Sequence, residues 1–144
     1  SVLAAYYLPE PQTRAAQDFL RRTPEAAVSD LVEVEFVSAL ARRVRIGDLP
    51  RQDAQRISAL FISHIEGQVY ARLSVEQEAY RTARTWLTGF EVPLRTLDAL
   101  HLATAAAHGV PIATADRALA RAADALGIRV RRIGRPAAGA THAM

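Results

Sequence analysis

From residue 12 to residue 133 the chain alternates helix-length runs with short strand-length ones, and glycine or proline marks nearly every change. Residues 12–22 read as a helix opened by Pro11 and closed before Pro24. Residues 31–45 form a strongly apolar helical run that stops near Gly47, and Pro50 opens another that continues to residue 65. Ser74-Val75-Glu76-Gln77 has the form of a capping box for a helix that reaches residue 88. Residues 97–108 predict a helix with Gly109 at its stop, and residues 117–126 one released by Gly127. Between them, residues 26–29, 69–73, 111–114 and 128–133 have the length and apolar character of strands. Alternation of this kind leaves few options beyond an α/β sandwich around a parallel sheet.

With 144 residues the chain fits one domain, assigned to residues 1–133, and residues 134–144, rich in Gly, Ala and Pro, read as a flexible tail. There is no cysteine, which excludes disulfides, thiolate metal sites and cysteine nucleophiles. No apolar run has the length of a membrane span, and the opening apolar stretch lacks a basic leader, so a cytoplasmic location is expected. All eighteen basic side chains are arginine. GC-rich codon use explains that bias, and arginine forks also suit phosphate. The net charge of +3 is compatible with nucleic-acid binding without requiring it.

Three acids stand in apolar settings: Glu35 in the 31–45 helix, Asp98 in Leu97-Asp98-Ala99-Leu100-His101, and Asp116 in Ala113-Thr114-Ala115-Asp116-Arg117. A carboxylate among apolar neighbours is costly unless it is paired, and a hard divalent cation is one partner that relieves the cost. Helical spacing puts Leu31, Glu35, Ser38 and Arg42 on one stripe, with Glu33 turned nearly the opposite way. Asp98 falls in the first turn of its helix, and Asp116 follows a strand at its carboxyl end, where parallel α/β sheets gather ligands. Each acid also has a plain structural use. Asp98 and Asp116 suit helix N-termini, and Glu35 could pair with Arg42 or Arg43 as part of a solvated or paired helix face. His101 is either a metal ligand or a partly buried histidine satisfied by hydrogen bonding. Tyr6, Tyr7 and Trp86 read as core or interface residues.

Taken in series, these stretches resemble the signatures of PIN domains, in particular the VapC ribonuclease toxins of type II toxin–antitoxin pairs. The opening Ser1-Val2-Leu3-Ala4-Ala5-Tyr6-Tyr7-Leu8-Pro9-Glu10 resembles the run that follows that family's first catalytic aspartate. The resemblance implies a three-layer α/β/α sandwich with a short, mostly parallel central sheet. It implies a metal-dependent endoribonuclease that hydrolyses RNA phosphodiesters with a metal-activated water. Glu35, Asp98 and Asp116 would be the acidic ligands of Mg2+ or Mn2+. Thr114 would support Asp116 or a metal-bound water, and Ser1 would match the small polar residue after the first acid. Arg95 and Arg117, closest in sequence to the acids, would contact phosphates. The expected partners are an RNA substrate, a VapB-type antitoxin and a second copy of the chain, without a membrane. Val32, Phe36 and the helix over residues 51–65 are the candidate partner surfaces.

The family's first aspartate would fall two positions before Ser1, on a strand central in the sheet. On this reading the chain lacks its first strand, the sheet keeps an open lane, and three acids stand where the family has four. The rival reading is a catalytically inactive PIN-like module that binds RNA or protein.

Overall fold

A computed structural model of the chain describes residues 2–8 and 13–133. Ser1 and the tail assigned to residues 134–144 lie outside the described residues. The elements run α1 (Val2–Tyr7), α2 (Thr13–Arg21), β1 (Ala27–Ser29), α3 (Asp30–Arg45), α4 (Arg51–Glu66) and β2 (Ala71–Leu73). They continue with α5 (Gln77–Gly89), α6 (Thr96–Ala107), β3 (Ile112–Thr114), α7 (Arg117–Ala125) and β4 (Val130–Arg132). The expected alternation is therefore present, with a short helix added at the start.

Local chemistry accounts for several boundaries. The Val32 N–H donates to the Ser29 hydroxyl at 3.3 Å, which caps α3 as it leaves β1. Asp30 and Glu33 lie in the first turn of α3 and three arginines in its last, the arrangement its dipole favours. Arg72 of β2 reaches both of those acids at 3.2 Å, pinning the start of α3 over the β1–β2 pair. Gly109 and Gly127, at φ +63 and +73, take the left-handed conformation that ends α6 and α7. The capping box expected at Ser74 does not form. The Ser74 hydroxyl donates instead to the Glu76 carboxylate at 2.6 Å, and α5 begins at Gln77 without a side-chain cap. With its hydroxyl engaged by Glu76, Ser74 does not cap the backbone, and the motif's other side chain, Gln77, accepts instead from Arg81 at 3.2 Å.

All four strands pair in parallel, but among the described residues they form two pairs. β1 lies beside β2 with Ala27 opposite Ala71, and β3 beside β4 with Ile112 opposite Val130. Residues 26–29 and 110–114 line a common cavity of about 280 Å3. Side chains of a strand alternate between its faces, so a cavity touching every successive residue lies along the strand's edge. β1 and β3 thus turn their unpaired edges toward one space.

The core follows the same division. Phe36 and Phe61, almost wholly buried with ring centroids 4.3 Å apart, centre a cluster that joins α1, α3, α4, β1 and Tyr70 just before β2. A second cluster is built from small residues, with Ala79 and Ala83 of α5 against Ala99 and Ala103 of α6. A third packs Leu102 of α6 on Ala122, Ala123 and Ile128. Trp86 packs on both of the latter clusters, and Leu31 of α3 packs on the second. Tyr7 packs on the first cluster and forms an edge contact with Tyr6, as core residues do. Phe36, expected at a partner surface, is interior instead: at 1% exposure it belongs to the first core.

Candidate functional site

Glu35 occupies the second turn of α3, one turn beyond Leu31, and its carboxylate faces the cavity between β1 and β3. Its partner is neither Arg42 nor Arg43. His101 of α6 donates from Nε2 to Glu35 Oε2, a contact between residues 66 apart in sequence. The imidazole is 16% exposed and the carboxylate 33%, so the bond lies partly screened from water at the cavity wall. This realises the hydrogen-bonded alternative for His101. The stripe expected on α3 turns inward only at Leu31 and Glu35, since Ser38 and Arg42 are exposed.

Asp116 is the N-cap of α7. Its Oδ1 accepts from the N–H of Ala118 at 2.7 Å and of Leu119 at 3.2 Å, and the residue is exposed. Thr114, buried at the end of β3, accepts from the Asp116 N–H at 3.0 Å through its hydroxyl. It therefore supports Asp116 through the backbone. Asp98 is half-buried in the first turn of α6, one turn before His101. Arg95, the N-cap residue of α6, and Arg117, the first residue of α7, are both exposed. Ser1 lies outside the described residues.

The cavity itself is mainly apolar, walled by Val28, Val32, Ile112 and Leu119, and its polar lining includes Ser29, Glu35, His101, Thr104, Thr114 and Arg131. Within that lining Ser29 caps α3 and Thr104 donates to the Leu100 carbonyl at 2.8 Å, and no buried side-chain N or O among the described residues lacks a partner. Asp98 and Asp116 do not line this cavity. Carboxylate oxygens are the right donors for a hard cation. Their placement does not fit one: among the described residues no three of His, Asp and Glu stand together as a ligand set. Glu35 is engaged by His101, and Asp116 by the start of α7.

A second polar group lies in the first core. The Tyr7 hydroxyl is 2.6 Å from His64 Nδ1 and 2.8 Å from the Tyr70 hydroxyl. Burial pushes the Tyr7 phenol well above its ordinary value, and the hydrogen bond to Tyr70 adds to the rise. Burial raises Tyr70 too, against the opposing pull of its bond to Tyr7. Both phenols are neutral structural groups.

Sequence reasoning weighed His101 without naming its partner. Its signal was the position three residues after Asp98, which puts the two on neighbouring parts of one helix face. Comparison with curated proteins finds no match. The family model described as PIN domain matches residues 1–125, a stretch that includes Glu35, Asp98, His101 and Asp116. With residues 1–125 of 144 matched and short parallel strands interleaved with helices, the chain belongs to the PIN domain family.

Proposed function

We propose that this chain is a divalent-metal-dependent endoribonuclease, using Mg2+ or Mn2+ to hydrolyse RNA phosphodiester bonds. PIN domains are generally metal-dependent nucleases. The observation that carries the reading is the family match across all three acids, each near the start of a helix that adjoins a strand's carboxyl end or packs on that helix. Glu35, Asp98 and Asp116 are the proposed metal ligands and catalytic acids. A divalent ion supplies such a site with a polarised phosphoryl oxygen and a water activated near neutral pH. Arg95 and Arg117, exposed beside Asp98 and Asp116, are the proposed phosphate contacts.

The finer reading is a VapC-type toxin held inactive by a VapB-type antitoxin, dimeric and cytoplasmic. Exposed Val34 and Val37 on α3, with Leu60 and Ile62 on α4, supply apolar surface suited to a protein partner. No helix among the described residues is long and apolar enough to cross a membrane. β1 and β3 both line one cavity, and a further strand beside them is the expectation of the resemblance. We propose that such a strand, with its own acid, completes the metal site.

A second reading, a non-cleaving RNA- or protein-binding module, is favoured by one observation. The acids as arranged do not form a ligand set. Cleavage of an end-labelled structured RNA across a Mg2+ and Mn2+ series decides between them. It is run on residues 1–144 and on a chain extended by an acid-bearing strand, with Asp98→Ala made in both. Metal-dependent products that vanish with Asp98→Ala are expected of the nuclease. Metal-independent binding without cleavage in either chain would establish the second reading.

A further inference from the structure

The acids disagree with a metal centre in a specific way, and His101 is the cause at Glu35. Glu35 and His101 face the cavity between β1 and β3, whereas Asp98 and Asp116 do not. The bond between them also spans the division of the core. Glu35 lies on α3 beside Phe36 of the first cluster, and His101 lies on α6 between Leu100 of the second and Leu102 of the third. Leu31, one turn earlier on α3, packs on the second cluster and holds the helices in this register. With its imidazole largely enclosed, His101 fixes Glu35 Oε2 against the cavity wall.

We propose that His101 is a latch on Glu35: it holds the carboxylate oxygen in a hydrogen bond at the cavity wall and thereby opposes divalent-ion binding. The inference rests on the proposed function for the identity of the ion. His101 is a positioning residue here, and loading of the site requires Glu35 to leave it. A hydrogen bond to a carboxylate has a strength that corresponds to about a tenfold change in an equilibrium constant. Removing the donor therefore frees Glu35 for the ion by about that factor.

The test is Mn2+ binding to the full chain by calorimetry, with the unbound ion counted by electron paramagnetic resonance. His101→Ala and His101→Asn, whose side chains cannot span to Glu35, should bind Mn2+ about tenfold more tightly than the unsubstituted chain. His101→Gln, which keeps an N–H donor near the place of Nε2, should restore the original affinity. Glu35→Gln should lose the site in every background. Melting curves and circular dichroism identify a variant that fails to fold, and the asparagine variant serves if alanine does. Unchanged or weaker Mn2+ binding in both donor-free variants would overturn the latch. If the unsubstituted chain binds through Glu35 while these variants match it, only the latch falls and the nuclease reading stands. If no variant binds Mn2+, releasing Glu35 has opened nothing, and the latch falls together with the metal-dependent reading of this chain.

Discussion

Two backbone N–H groups at the start of α7 are satisfied by one oxygen of Asp116, so the acid that the nuclease reading needs is also a helix cap. These roles separate by substitution. Asp116→Ala removes both and is expected to cost about 1 kcal/mol of stability. Asp116→Ser keeps a capping oxygen without a carboxylate, so its urea midpoint should stay near that of the unsubstituted chain while metal-dependent cleavage is lost. Cleavage surviving in the serine variant would leave Asp116 with only its cap. The cap was legible from sequence because cap and capped groups are two and three residues apart. The partner of Glu35 was not. Local spacing offered Arg42 and Arg43, and the actual partner, His101, comes from another helix.

At the scale of elements, short-range signals located the helices and strands after α1 to within a few residues. Gly109 shows why. Its φ of +63 closes α6, and the Val110 N–H then reaches back to the Ala105 carbonyl at 3.1 Å. A Cβ at this position would meet nothing within 4 Å, so the cost of Gly109→Ala is conformational. It is expected to be about 1 kcal/mol, read from urea unfolding. A neutral result would show that the turn relaxes to negative φ. The failed capping box at Ser74 marks the limit of local signals. Ser74 and Glu76 had two possible sets of partners close by, and they chose each other.

At the scale of the whole molecule, the Tyr7–His64–Tyr70 network ties α1, α4 and the approach to β2 together inside the first core. It gives stability a pH dependence whose sign is fixed. The Tyr7 and Tyr70 phenols ionise less readily in the folded chain than at their ordinary value of 10.0. Their contribution is therefore complete below about pH 10 and is lost above it, where the unfolded state releases protons first. Lysine and cysteine are absent, so no side chain of either type obscures the effect. Unfolding free energy should fall as pH rises above about 10, and Tyr7→Phe should flatten that fall. An equal fall in the variant would place the effect elsewhere.

The sequence by itself determined the order of helices and strands from residue 13 onward, the α/β class, the cap at Asp116, and the family. All of these depend on residues within a few positions of one another, or on motifs in series. Tertiary structure decided which strands pair, that β1 and β3 turn their free edges to one cavity, that Phe36 is core, and that His101 holds Glu35. The physical reason is that parallel pairing and cross-core hydrogen bonds join residues tens of positions apart. Their geometry is fixed only once the intervening helices pack, and alanine faces such as those of α5 and α6 set how closely they do.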